Sequence, residues 1–391
     1  MTRGQVVFWV LLVAGIVLMA YGGYYIYLRQ TLGIVGWAWG LMVVTYVFFA
    51  LASTGSSIVN TIHTVYGYDG AFGKYIRYTV YVSLATVLPA FPIIISDLGA
   101  PENFAWMFLG FNPTSRMAWM GVLYVLFALI LLVELIAEIH KKGGRGIGML
   151  TLGLAVVIIS VVTHSNLGQI FGSAYGIPGW FGPFMAVLFI ASALMIGFAL
   201  QTIALMLADV INFGQVRPEL RELVSRVHIK GMLTMIGVYV FMAFWYHMAA
   251  FYSPPMALAS QEVLWGRFAG EFWGIEVFLG LVLPLIILPI ALKRRSVGLA
   301  ALAAFLLIVG QFFGKVSLTA SGQIGRILFD ASLTQKAYYA EHLIADFKSE
   351  FFGEAPALAF AVGLWLVLFA LGVKLLALEE GEKPKRLLIF R

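Results

Sequence analysis

Ten runs of about 20 apolar residues dominate this sequence, and each is long enough to cross the hydrocarbon core of a bilayer as a helix. They cover roughly residues 6–28, 35–60, 76–96, 117–139, 146–164, 182–211, 229–250, 272–292, 296–314 and 354–378. Of the 391 residues 61% are hydrophobic and 11% charged, and the mean hydropathy is +0.94, which excludes a soluble globular domain. The expected fold is all-α, a polytopic membrane protein of about ten transmembrane helices.

Charge gives the expected orientation. Eighteen of the 25 Lys and Arg fall on one side: Arg3, the second connection (Lys74, Arg77), the fourth (Lys141, Lys142, Arg145), the sixth (Arg217, Arg221, Arg226, Lys230), the eighth (Lys293, Arg294, Arg295) and the C-terminal tail. The other seven face away from them. The positive-inside rule then puts both termini in the cytoplasm, for a multi-pass protein of the cytoplasmic membrane. Met-Thr-Arg leads straight into a spanning run with no small-residue cleavage site, so Met1 is expected to stay. The net charge of +6 is explained by juxtamembrane Lys and Arg facing lipid headgroups, and it does not point to nucleic acid. With no Cys, the chain ligates no iron–sulfur cluster, and any such cluster must belong to a partner.

A short repeat suggests how the helices are grouped. Gly33-Ile34-x-Gly36-Trp37 before the second run returns as Gly176-Ile177-x-Gly179-Trp180 before the sixth, an offset of four helices. An even offset means parallel repeats, whereas an inverted repeat needs an odd one. The expected organisation is an N-terminal flanking helix (1–34), a four-helix bundle (35–175), a second one (176–314), an outward-facing connection with a surface helix (315–353), and a C-terminal helix with a basic tail (354–391).

Between the third and fourth runs, Ser96 to Met117 holds an Asp, an Arg, Asn and two Pro where a plain connection needs none. Polar groups at membrane depth are costly unless satisfied, so this junction is the first functional candidate. Pro89 and Pro92 lie just upstream and predict a kink that frees the carbonyls of Ala85 and Leu88. Pro284 and Pro289 repeat the device in the eighth run.

The run Asp97-Leu98-Gly99-x-Pro101, followed by Phe111-Asn112-Pro113-Thr114-Ser115-x-Met117-x-Trp119, resembles the signature of the NrfD family, the integral membrane subunits of polysulfide reductase and related respiratory complexes. Members typically carry Arg-Pro after the Gly and Pro after the Ser; here Ala100-Pro101 and Arg116 stand instead. The resemblance implies a subunit that exchanges electrons between a membrane quinone, menaquinone or a related one, and an iron–sulfur partner, with no haem or iron–sulfur cluster in this chain. The expected partners are an extracytoplasmic ferredoxin-like iron–sulfur subunit and further catalytic or cytochrome subunits. Length and helix count are similar to the ten-helix branch found in sulfite-reductase-associated and heterodisulfide-reductase-like complexes, which implies sulfur-compound respiration.

Folding the runs by orientation sorts the polar residues into two layers. The outer layer holds Trp37, Trp39, Asp97, Arg116, His164, Asn166, Tyr246, His247, Glu271, Glu276, Gln311 and Lys315. It contains what quinone chemistry needs: donors for two carbonyl oxygens, a group that exchanges protons near neutral pH, and aromatic walls. Asp97 and His164 are the expected proton-handling pair. Asn112, Thr114 and Arg116 are expected as their neighbours, and Trp39, Tyr246 and His247 as further quinone-binding residues. The inner layer holds Asn60, His63, Glu134, Glu138, His140, Asp209 and His228. Glu134 sits inside an apolar run, one turn from Glu138, and a carboxyl there that changes protonation relays protons from the cytoplasm. Glu138, beside His140 and Lys141, reads instead as a solvated end charge. Asp209 and His63 are the other candidates for a proton path, with pairing to Arg217 or Arg221 as the alternative for Asp209.

The ninth connection, Lys315 to Phe352, places Leu333, Ala337, Tyr338, Leu343, Ile344, Phe347 and Phe351 at helical spacing, predicting a surface helix that lies on the lipid interface or docks an iron–sulfur protein. The leading reading is a quinone-reactive subunit of a respiratory oxidoreductase, with proton translocation as an added capacity. Three others compete. A haem b cytochrome would have to pair His164 with His247, a secondary transporter would use the Pro-broken helices, and a passive anchor would have no active quinone site.

Overall fold

The computed structural model describes residues 1–391 except 35–38, 69, 142–145, 178, 335–336, 385–388 and 391; for 333–334 and 337–343 it describes the backbone alone. Gly36 and Trp37 of the repeat, Lys142, Arg145 and several basic residues of the tail therefore lie outside the described residues, as do the side chains of Leu333, Ala337, Tyr338 and Leu343. Among the described residues, ten helices are long and apolar enough to span a membrane: α1 (Arg3–Thr31), α2 (Leu41–Thr64), α3 (Ile76–Asp97), α4 (Arg116–His140), α5 (Ile147–Gly172), α6 (Phe184–Phe213), α7 (Pro218–Ala250), α8 (Glu271–Arg294), α9 (Val297–Ser332) and α10 (Ile344–Leu375, whose final continuous helix is Ala355–Leu375). The fold is all-α, as the composition requires.

Local chemistry sets the helix ends. Thr2 and Gln5 form a reciprocal cap at the start of α1, Thr2 Oγ1 accepting from Gln5 N at 3.3 Å and Gln5 Oε1 from Thr2 N at 2.9 Å. Ser115 caps α4, and Gly214 ends α6 in the left-handed region at φ 71°. Pro218 opens α7 at its first turn, where a missing N–H costs nothing.

α2 is buried along almost its whole length and packs against α3, α5 and α6. α4 lies on α3 and α5. On the other side α6 packs with α7 and α9, and α8 with α9. Small residues make these contacts close: a Cβ added to Gly197 of α6 would meet the Gly55 carbonyl oxygen of α2 at 2.5 Å, and Gly280 of α8 faces Gly310 of α9. α1 pairs along its length with α10, where a Cβ on Gly15 would stand 2.9 Å from the Gly363 carbonyl oxygen.

Several expectations change. α3 breaks at Leu88–Pro89 into Ile76–Val87 and Ala90–Asp97, as its prolines predict, but the Leu88 carbonyl is not free: it accepts from Phe91 N at 3.3 Å. α9 does not end at residue 314. It continues to Ser332, so Lys315 is a helix-interior residue rather than the start of a connection. Hydropathy falls at the first charge, whereas the backbone ladder continues wherever neighbouring helices supply a polar interior. For the same reason α5 extends past His164 to Gly172. Glu138, read as solvated, is 3% exposed and pairs with Lys141 at 3.7 Å. In the surface helix Ala337–Gly353, Ile344, Phe347 and Phe351 are buried in a cluster with Val44 of α2, Phe268, and Val316, Ala320 and Ile324 of α9. At these three residues the apolar face is covered by protein, not lipid.

Candidate functional site

The break in α3 opens a cavity of about 180 Å³ at one end of the helices α2 to α5. Its walls are Val87, Ala90, Phe91 and Ile94 from the two halves of α3, Tyr46 and Ala50 from α2, and Met120 and Tyr124 from α4. Trp39, held at φ 59°, closes the side towards α5, its ring 5.2 Å from Phe171 and 5.0 Å from Trp180. Phe104 and Met107, from the short helices Pro101–Ala105 and Trp106–Leu109, roof the mouth. Met107 packs into the space left by the missing side chain of Gly121. The Ser96–Met117 stretch is thus a cover folded over an apolar, aromatic- and Met-lined cleft of the kind that holds a flat ring.

Three polar groups face this cleft. Asp97 lies at its rim, and its Oδ1 takes the Arg29 guanidinium at 3.2 and 3.3 Å. The same guanidinium approaches Glu354 Oε1 at 3.2 Å, and Arg29 also contacts Met42 Sδ. Tyr46 donates to Met120 Sδ at 3.7 Å. The Tyr124 hydroxyl is buried and has no hydrogen-bond partner among the described residues. An orphaned buried donor is costly unless something fills its need. A quinone fits this site by that criterion: its ring matches the Met and aromatic walls, and a carbonyl oxygen is the acceptor Tyr124 lacks.

The other residues singled out in sequence are distributed more widely. Asn112 Oδ1 accepts from Thr114 N at 3.0 Å and from Thr114 Oγ1 at 2.8 Å, a local turn before α4, and Arg116 is exposed, its carbonyl accepting from Asn166 Nδ2 at 3.0 Å. None of the three lines the cleft. His164 is fully buried on α5, its Nδ1 sharing a hydrogen bond with Thr54 Oγ1 at 2.9 Å, and its Nε2 has no partner among the described residues. It is not brought to Asp97. Tyr246 and His247 line a separate cavity of about 30 Å³ on the α6–α9 side, with Glu276 and Lys315. There Tyr246 donates to the Gly179 carbonyl at 2.5 Å, His247 bonds Ser260 at 3.2 Å, and Tyr239 donates to Glu276 at 2.7 Å.

The inner candidates also separate. Asp209 accepts from Arg217 Nε and Arg217 N, both at 2.9 Å, so the pairing alternative describes its position. Tyr75, between spans, donates to both Asp209 oxygens; burial first, then the Asp209 charge, pushes its phenol up. His63 approaches the Tyr68 carbonyl at 3.3 Å and stacks on Phe72. Glu134 is 1% exposed, and neither carboxyl oxygen has a hydrogen-bond partner among the described residues.

Sequence reasoning missed Arg29, Glu354 and Tyr124. A signal existed for the first two: a cation near the outer end of the first helix and an acid at the start of the last stand at one depth. Tyr124 carried none, since a Tyr in a spanning run reads as core or lipid contact.

Comparison with known proteins agrees with the motif at 97–119. The family model of the polysulphide reductase protein NrfD matches residues 33–325. The C component of the selenate reductase of Mesobacillus selenatarsenatis is 24% identical over 315 residues, 70% of this chain and 71% of that protein. A putative dimethyl sulfoxide reductase membrane subunit of Halobacterium salinarum is 24% identical over 310 residues, covering 73% and 69%. With three quarters of its length matched and the relatives being subunits of reductases, this integral membrane protein belongs to the NrfD polysulphide reductase family.

Proposed function

We propose that this chain is the quinone-reactive membrane subunit of a respiratory reductase complex, passing electrons between menaquinol or a related quinol, bound in the α2–α5 cleft, and an iron–sulfur partner. The observation that carries the reading is the unpartnered Tyr124 hydroxyl in the apolar cleft that has Asp97 at its rim. A bound quinone supplies the two-electron, two-proton couple. Tyr124 would hold the ring by donating a hydrogen bond to one of its oxygens. Asp97 exchanges a proton with the cleft, and Phe104 and Met107 exclude bulk water. The names of the relatives extend the proposal to a partner that reduces an oxyanion or sulfoxide, in sulfur-compound or related respiration. His164 and Glu134, buried with polar atoms that have no hydrogen-bond partner among the described residues, are proposed as proton-path residues, with Glu138, Asp209 and His63 as further candidates. Both termini are proposed to face the cytoplasm, and the cleft the outside.

The test is purification of the native complex in mild detergent, with subunits identified by mass spectrometry and quinone extracted from the same sample. An iron–sulfur protein and bound quinone together support the reading. A chain that arrives alone, colourless and free of quinone overturns it.

A further inference from the structure

The cleft is formed by α2 to α5, yet the cation beside its acid comes from outside that group. Arg29 belongs to α1, and its guanidinium lies between Asp97, at the end of α3, and Glu354, at the start of the final helix of α10. Its side chain is 8% exposed and that of Glu354 2%, so this is an interior arrangement and not a surface pair. Arg29 Nε also donates to the Ile34 carbonyl at 3.3 Å, and Gln30 Nε2 to the Ser96 carbonyl at 2.6 Å, which ties the end of α1 to the end of α3. The long, close pairing of α1 with α10 fixes Arg29 and Glu354 relative to each other.

The three groups are not equivalent. Glu354 Oε2 accepts from Met42 N at 2.9 Å, so this carboxylate caps the N-terminus of α2, where the helix dipole favours a negative charge. It does not line the cleft. Asp97 does, and its side chain is 17% exposed. One guanidinium thus serves two carboxylates, of which one is spoken for by a helix terminus and the other meets whatever the cleft holds. Among the described residues, the other titratable groups within electrostatic reach of Asp97 are phenols, Tyr25 of α1 and Tyr46 of α2. Position 100, three residues on from Asp97, is Ala, so the local loop supplies no cation.

We propose that Arg29 and Glu354, brought in by the flanking helices α1 and α10, are positioning residues that hold Asp97 at the rim of the cleft and set its readiness to exchange a proton. The inference rests on the quinone reading of the cleft. Arg29 holds the Asp97 carboxylate in place and favours its charged form. Glu354 draws on the same guanidinium and limits that effect, leaving Asp97 able to accept a proton.

The test uses the whole complex, with quinol-dependent reduction measured against pH for wild type, R29Q, R29K and E354Q. Absence of quinol-dependent turnover in wild type overturns the quinone reading and, with it, the basis of this one. With wild type active, R29Q removes a cation next to Asp97 and E354Q removes an anion, so the two profiles are expected to move in opposite directions, by about one pH unit or more. R29K, which keeps the charge, is expected to stay near wild type. Profiles that move together, or that stay in place while turnover falls, overturn the proposal. Should R29Q fail to assemble, E354Q and R29K decide: an unmoved E354Q profile overturns it.

Discussion

Tyr75 and Asp209, 134 residues apart in the chain, meet through both carboxylate oxygens, the phenol donating at 3.1 and 3.0 Å. Arg217 completes the set with its Nε and its own backbone N, and reaches on to Glu379 at 2.5 Å. An acid held by a phenol, a guanidinium and a backbone N–H is an anchor for the turn between α6 and α7. Asp209→Asn leaves the part-buried Arg217 with Glu379 as its remaining acid and weakens the bonds that Asp209 accepts, and is expected to cost about 2 kcal/mol, read as a melting temperature in detergent lower by several degrees. Unchanged stability would show that these contacts do not anchor the turn and leave the proton path as the reading of Asp209.

Glu134 gives the opposite expectation. Its carboxyl is buried and has no hydrogen-bond partner among the described residues, so Glu134→Gln removes no contact that holds the fold. The variant is expected to melt at or above the wild-type temperature. If Glu134 relays protons, E134Q reduces proton uptake by the complex reconstituted in vesicles while electron transfer continues. A large loss of stability would show that Glu134 has a structural partner.

Tyr124→Phe separates binding from folding. The hydroxyl has no protein partner among the described residues, so its removal leaves stability unchanged, while a quinone loses one hydrogen bond worth about 1 kcal/mol net, roughly fivefold in affinity. Titration of quinone into the purified complex, alongside its melting curve, reads both effects. Equal affinity in Y124F would place the ring elsewhere.

Arg77 makes several of the bonds that fasten the segment after α10. Arg77 donates to the carbonyls of Ala377, Glu379 and Glu382 and, on α4, to those of Glu138 and Ile139. Tyr78 adds a bond to the Glu379 carboxylate at 3.0 Å. Arg77→Ala is expected to release the tail, so that limited proteolysis removes residues after Leu378 many times faster than in wild type. A tail equally protected in R77A would show that Tyr78 and Arg217 suffice to hold it.

Much of this arrangement can be read from the sequence because its cause is local. Apolar length decides which segments cross the membrane, and the ten runs correspond to ten helices. Pro89 breaks α3 where its missing N–H and ring require. The limits are equally physical. Hydropathy stops at Lys315 and near His164, whereas the helices continue, since a buried lysine and histidine find polar surroundings that a lipid-facing residue would not. Of the residues assigned to one outer layer by depth, Asp97 and Trp39 line one cavity and Tyr246 and His247 another, while Arg116, Asn166 and His164 line neither. Depth is one coordinate, and it does not say which bundle face a residue occupies.

The sequence by itself determined a ten-helix membrane protein and the family signature at Asp97–Trp119. Those follow from composition, run length and a motif, each of which is a property of neighbours along the chain. Tertiary structure alone decided that Arg29 lies between Asp97 and Glu354, that Tyr124 faces the cleft with no partner among the described residues, and that His164 bonds Thr54 and not Asp97. These depend on helix rotation and on close Gly-mediated approach between helices distant in sequence, which a one-dimensional pattern does not encode.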